Sequence, residues 1–356
     1  MKIKKTKNWD NWQWQLCNSI STKAEIQKYL TLTEEEISAF NQPFRLPFTI
    51  TPYLLNQLVN IDSECILRKQ FIPRISEFSS SKYIFDDPLK EDENIAVNNI
   101  IRRYKSKSAL ICTNKCAAYC RYCTRRRRAN FEVKFDLHSC INYFSSHKEI
   151  NDVLLTGGDP LILSDEKLEE IICSLRSIKH IEILRIGTRV PVILPMRVTK
   201  SLIKMLKKYH PIYINIHFSN VVEITNECIL AIGMLADGGI PLGSQTVLLK
   251  GINDSADSLE KLFRKLLNIR VKPYYLYQCD KIHGCKDFYV KLGKGVNIIN
   301  TIQENSSGLS VPHFVVDLPG NIGKCVAGPY NIKKGLKNKI IFNKEKLEYE
   351  YSDVIQ

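Results

Sequence analysis

The chain has 356 residues, 44% of them apolar and 25% charged, long enough to bury a large core as two domains or as one barrel with an extension. Its 51 Lys and Arg outnumber 37 Asp and Glu, a formal excess of +14; the excess is spread along the chain without an interleaved aromatic platform, so a nucleic-acid partner is not expected. Twelve scattered cysteines, an N-terminus with no apolar signal core and no apolar run near the ~18 residues of a membrane span predict a cytoplasmic protein with reduced thiols.

The first hundred residues read as helical and irregular. The runs TKAEIQKYL and TEEEISAF open on Thr22 and Thr33, with Glu25 and Glu36 three residues on, the capping-box pattern of a helix start. Beyond them the periodicity changes. Short apolar runs (SALICT, DVLLT, IEILRIG, IYINIHF, SQTVLLK, PYYLYQ, HFVVD) alternate with helical stretches such as SDEKLEEIICSLRSI, TKSLIKMLKKY and DSADSLEKLFRKLL, which predicts repeated βα units and a parallel sheet. About six or seven such strands are too few for a closed eight-stranded barrel, so an α/β partial (β/α) barrel is expected, with its chemistry at the strands' C-terminal ends. The predicted organisation is a helical extension over 1–100, the partial barrel over 101–312 and a C-terminal segment with a basic tail over 313–356.

Cys116, Cys120 and Cys123 stand in CTNKCAAYCRYCTRRRR with spacing C-x3-C-x2-C. Three thiolates hold three irons of a [4Fe-4S] cluster and leave the fourth open. A zinc site would need a fourth ligand, and the nearest spare, Cys112, lies inside SALICT. After DVLLT comes Thr156-Gly157-Gly158-Asp159-Pro160, whose paired glycines permit close backbone approach to a ligand. Arg189 in RIGTRVP and His217 in INIHF end two further runs, each equally readable as a cofactor contact or a satisfied core residue. Asp280 and Asp317 also end strand-like runs; such a pair could bind a cation, hold a metal or cap backbone amides. The run Arg125 to Arg128 reads as a solvated face, although an arginine two residues after a cluster ligand could clamp a carboxylate bidentately. Gly-Asn-Ile-Gly-Lys-Cys, ending at Cys325, is too short for a phosphate loop and has cysteine where the hydroxyl is required, which excludes a nucleoside-triphosphate site. Its Lys324 is either a solvated lysine or one prepared by burial for a Schiff base with pyridoxal phosphate.

The cysteine spacing is similar to that of the radical S-adenosylmethionine enzymes. More specifically, the chain resembles the lysine 2,3-aminomutase family over nearly its whole length, through WDNWQWQL, ITPYLL, LRKQFIP, CAAYCRYCTRRR, TGGDPL, LRIGTRVPVILPMR, IPLGSQTVLLKGIND, PYYLYQCD and VPHFVVDLPG followed by GK. The resemblance implies an isomerase that moves the α-amino group of L-lysine to the β-carbon with a [4Fe-4S] cluster, S-adenosylmethionine and pyridoxal phosphate. By position, Cys116, Cys120 and Cys123 would ligate the cluster, and Gly157, Gly158 and Asp159 would line the S-adenosylmethionine site, with Arg189 and His217 as further contacts. Lys324 would carry pyridoxal phosphate and Gln245 would lie near its phosphate. Lys107 stands where the family has an arginine for that phosphate, keeping the charge without the planar fork. Arg125 would hold the substrate carboxylate, and Asp280 with Asp317 would receive the ε-ammonium.

The same resemblance implies a flavodoxin- or ferredoxin-type reductant and a homo-oligomer. None of the residues after Cys325 is a cysteine, whereas longer members carry a C-terminal cysteine cluster for structural zinc. Rearrangement of arginine, or of a lysine in an elongation factor, is the alternative chemistry. A non-catalytic basic iron-sulfur protein is the reading from another class, from which a pyridoxal lysine would distinguish it.

Overall fold

The structure is a computed structural model that describes residues 2–353 apart from 44–45, 60–61, 80–83, 133, 320–321, 329–331, 335–338 and 345–346. Among the described residues ten strands form one open sheet in chain order: β1 (Ile95–Val97), β2 (Ile100–Ile101), β3 (Lys107–Thr113), β4 (Asp152–Gly157), β5 (Ile183–Thr188), β6 (Ile212–His217), β7 (Leu242–Leu248), β8 (Lys272–Gln278), β9 (His313–Leu318) and β10 (Gly323–Val326). Strands β3 to β9 run parallel. Antiparallel β1 and β2 flank one edge and antiparallel β10 the other. A separate antiparallel sheet follows, made of β11 (Ile332–Lys334), β12 (Lys339–Lys344) and β13 (Leu347–Ser352).

Alternation along the strands separates two faces. In β7, buried Leu242, Ser244, Thr246 and Leu248 alternate with half-buried Gly243, Gln245 and Val247, as period-2 geometry requires. One face packs under the helices; the other lines the barrel interior. The covering helices bury Leu168, Ile171, Ile172 and Leu175 from Asp165–Arg176, and Leu259, Leu262, Phe263 and Leu266 from Ala256–Asn268. These apolar positions recur every three or four residues, each contributing roughly 1.5–3 kcal/mol of burial.

Both predicted capping boxes form. Glu25 N donates to Thr22 Oγ1 at 3.2 Å while Thr22 N donates to Glu25 Oε2 at 3.0 Å. At Thr33 and Glu36 the matching distances are 3.3 and 2.8 Å. The helices they open are short, Lys23–Ile26 and Glu34–Phe40.

The predicted three-part division does not follow the sheet. β1 and β2 lie on it before or at residue 101, and β9 and β10 lie on it beyond 312, so the first expected boundary falls inside β2 and the second parts β9 from its hydrogen-bonded neighbour β8. The N-terminal extension also shares the barrel's core: Ile26, Leu54, Leu55 and Phe71 belong to one buried cluster with Leu184, Leu202 and Leu235. Polar contacts reinforce the seam, with Tyr53 Oη 2.6 Å from Thr225 Oγ1 and Thr51 Oγ1 donating to Ile193 O at 3.2 Å.

Candidate active site

The loop leaving β3 carries Cys116, Cys120 and Cys123, all half-buried free thiols, and the end of β4 is pressed against it. A Cβ at Gly157, where φ is +123°, would stand 2.3 Å from Thr113 O, and one at Gly158 would stand 2.1 Å from Lys115 O. Gly158 N donates to Thr113 O at 2.5 Å and Asp159 N to Lys115 O at 2.9 Å. The close backbone approach expected toward a ligand is thus made to the cysteine loop itself, which the glycine pair braces. The Asp159 carboxylate is likewise spent inside the protein. It accepts from Leu161 N at 3.0 Å, Thr188 Oγ1 at 2.7 Å, Arg189 N at 2.7 Å and Val190 N at 3.2 Å. Burial pushes its pKa above the usual value despite those donors. Asp159 therefore ties the end of β4 to that of β5 and sets the position of Arg189.

Arg189 is the hub of this end. Its Nη1 lies 2.6 Å from Cys120 Sγ and 2.9 Å from Tyr122 Oη, and its Nη2 donates to Gln70 Oε1 at 2.6 Å and Glu223 Oε1 at 3.2 Å. His217 Nε2 sits 2.9 Å from Tyr122 Oη and 3.1 Å from Ser219 Oγ. Burial and then the Arg189 charge hold that imidazole well below its ordinary pKa, so it is neutral at physiological pH. Sequence reasoning did not assign Gln70, Ser219 or Glu223, since each gains meaning only from partners far along the chain. Changing Arg189 to Ala would strand the buried Glu223 carboxylate beside Gln70. The expected loss is about 3–5 kcal/mol of unfolding free energy, read by chemical denaturation, with less iron retained after reconstitution.

A second group of charges gathers where β8, β9 and β10 end or begin. Lys324 and Asp317 are register partners across β9 and β10, with Nζ 3.3 Å from Oδ2 and 5.4 Å from the centre of the Tyr277 ring. Arg103 Nη1 approaches the other Asp317 oxygen at 3.3 Å. Asp280, just past β8, accepts from Thr124 Oγ1 at 2.7 Å. Burial, and next the Asp317 charge, push its pKa up to about 7, with Lys324 acting in the opposite sense. Lys107 stands over the Tyr104 ring at 4.2 Å; burial, and then the Lys324 charge, press its pKa below the ordinary lysine value. Tyr104 Oη in turn accepts from Lys324 N at 3.0 Å. Gln245 faces the same interior, paired in register with His217 on β6 and Tyr275 on β8.

The arginine run is not a solvated face. Arg125 grips Glu91 through Nε at 3.1 Å and Nη2 at 2.9 Å, and its Nη1 reaches Thr156 Oγ1 at 3.0 Å. Arg126 pairs with Glu77 at 2.7 Å and Arg127 with Asp87 at 2.9 Å, while Arg128 pairs with Asp92. The arginine assigned to the substrate carboxylate therefore already holds one carboxylate of the protein.

Residues 110–265 match the family model described as Radical SAM superfamily. The chain is 42% identical over 354 residues to the L-lysine 2,3-aminomutase of Clostridium subterminale, covering 98% of this chain and 85% of that one. The chain belongs to the lysine 2,3-aminomutase family. The Fusobacterium nucleatum L-lysine 2,3-aminomutase is 43% identical over 352 residues, 97% of this chain and 83% of the relative. The glutamate 2,3-aminomutase of Clostridioides difficile is 38% identical over 337 residues, 92% and 79% of the two chains.

Lysine 2,3-aminomutases are isomerases that use a [4Fe-4S] cluster, S-adenosylmethionine and pyridoxal phosphate, and the residues present fit all three. The three thiols of one loop lie within electrostatic reach of one another. No three His, Cys, Asp or Glu side chains converge on a single metal ion among the described residues, and a cluster instead spreads its ligands one per iron. Asn215 Nδ2, buried without a partner among the described residues, lies on the same face of β6 as His217, where a bound nucleoside would satisfy it. Lys324, Lys107 and Gln245 would offer one amine and two phosphate donors to pyridoxal phosphate. Among the described residues no helix is long and apolar enough to cross a membrane.

Proposed function

We propose that this chain is an L-lysine 2,3-aminomutase, converting L-lysine to β-lysine. The observation that carries the reading is the charge arrangement around Lys324. Two largely buried carboxylates, Asp280 and Asp317, converge there, and Asp280 has a hydroxyl but no ion-pair partner within 4.0 Å among the described residues. A substrate ammonium supplies the missing cation, and both acids end strands where barrel chemistry belongs.

When bound, the cluster with S-adenosylmethionine supplies hydrogen-atom abstraction, and pyridoxal phosphate lets nitrogen pass between adjacent carbons. Lys324 Nζ is the amine that would hold pyridoxal phosphate, and Lys107 and Gln245 would donate to its phosphate. Arg125 takes the substrate carboxylate, and Asp280 with Asp317 takes the ε-ammonium, so length and charge are checked at both ends. A glutamate side chain would bring a third carboxylate against two, which favours lysine even though a glutamate 2,3-aminomutase is a relative. The reductant is a low-potential flavodoxin or ferredoxin, the assembly a homo-oligomer and the setting the cytoplasm.

The arrangement carries a pH dependence. Asp280 has a raised pKa of about 7, so it is ionised and able to accept an ammonium above that pH and takes a proton below it. KM for lysine is therefore expected to rise by up to about tenfold per pH unit below 7, with kcat less affected, in initial rates measured between about pH 6 and 8.5.

The test of function is anaerobic reconstitution with iron, sulfide, pyridoxal phosphate, S-adenosylmethionine and a reductant, followed by competition among lysine, arginine and glutamate. Predominant β-lysine supports the reading. Predominant β-arginine or β-glutamate overturns it.

A further inference from the structure

A single segment touches both ends of the proposed lysine pocket. At one end Phe85 pairs in parallel with Ile282: its N donates to Lys281 O at 3.0 Å and its O accepts from His283 N at 3.2 Å. These partners immediately follow Asp280. At the other end, six residues further along the chain, Glu91 holds Arg125. Glu91 is 3% exposed. Burial works to raise its pKa, yet Arg125 and the neighbouring arginines hold it below the usual carboxylate range.

The hydrogen-bond count on Arg125 shows what this grip leaves available. A guanidinium has five N–H donors. Glu91 takes Nε–H and one on Nη2, and Thr156 takes one on Nη1. Two remain among the described contacts, one on each terminal nitrogen, to donate to an incoming carboxylate. Glu91 from one side and Thr156 from the other thus fix the plane of the guanidinium and leave one N–H on each terminal nitrogen.

We infer that Glu91 is a positioning residue for substrate: it orients Arg125 toward the amino-acid carboxylate, and the segment from Phe85 to Glu91 sets the distance between that carboxylate and the ammonium held at Asp280. The inference rests on the proposed lysine reading. It also gives Glu91 a purpose that charge balance alone does not. A buried acid added only to neutralise Arg125 would have no reason to occupy one edge of the guanidinium and spare the other.

The experiment compares wild type, Glu91→Ala and Glu91→Gln as reconstituted holoenzymes. Without Glu91, Arg125 must be ordered by the substrate itself. KM for lysine is expected to rise about ten- to a hundredfold in Glu91→Ala with kcat within about threefold, and to a smaller extent in Glu91→Gln, whose amide oxygen still accepts from Arg125. Cadaverine, which is lysine without its carboxylate, is the control. It has nothing for Arg125 to hold, so its inhibition constant should stay within about twofold of wild type, whereas general loss of structure would raise both constants together. Should Glu91→Ala fail to fold, Glu91→Gln carries the same comparison. An unchanged lysine KM in the folded variants, or a parallel rise for cadaverine, overturns the inference alone. A wild-type enzyme that does not rearrange lysine overturns the proposed function first, and this inference with it.

Discussion

Lys324→Ala is expected to abolish lysine rearrangement, by more than about a thousandfold in kcat, because it removes the amine proposed to hold pyridoxal phosphate. Lys107 offers no substitute, since it is drawn over the Tyr104 ring instead. The variant should nevertheless fold. Its backbone stays pinned by the register pairing with Asp317 and by the Tyr104 hydroxyl, and Arg103 keeps Asp317 in an ion pair. Two spectra separate the causes: the absorbance of bound pyridoxal phosphate should vanish while that of the iron-sulfur cluster persists. Retained turnover, or loss of both bands together, would sink the assignment of Lys324.

Asp280→Asn is expected to lower kcat/KM for lysine by about a hundredfold or more while making the protein more stable. Removing one member of a buried charge pair costs roughly 3–5 kcal/mol, and in the proposed Michaelis complex that pair would be the carboxylate with the ε-ammonium. Stability moves the other way. The Asp280 carboxyl titrates near 7 in the folded protein against its usual 3.8, so between those values the native state binds a proton that the unfolded chain releases. Stability is then lost as pH rises through this window, and above about 7 the full penalty is present. Asparagine keeps an oxygen for Thr124 and removes the penalty, so Tm measured near pH 8 should rise. Asp317→Asn would instead deprive Arg103 and Lys324 of their shared partner and lower Tm. That contrast makes Asp280 the cleaner probe of substrate recognition.

What was legible in the amino-acid order was local. The three cysteines lie within eight consecutive positions, the capping boxes within four, and each apolar run of the parallel sheet announces itself without its neighbours. Lys324 was harder to place: it was read from a glycine-rich loop, yet it lies on a strand because β10 completes its backbone bonds along the edge of β9. Contacts from the first hundred residues were not legible at all. Gln70 meets Arg189 across 119 positions of chain and Glu91 meets Arg125 across 34, from a six-residue helix and a turn too short for periodicity to mark a face. Spacing alone could therefore suggest that Arg125 binds an anion, but not that the protein already provides one. For the same reason the paired glycines at 157 and 158 pointed to close approach without revealing that the neighbour would be the cysteine loop.

The facing of Lys324 and Asp317 across one antiparallel hairpin has a consequence for the order of assembly. While Nζ is unmodified it occupies a carboxylate that, on the proposed reading, the incoming lysine would need, so the protein would compete with its own ligand by means of an identical functional group. Commitment of Nζ to pyridoxal phosphate would withdraw that competitor. Vacancy for the amino acid would thereby be made conditional on the cofactor, through a single rung of strand pairing and without any moving domain.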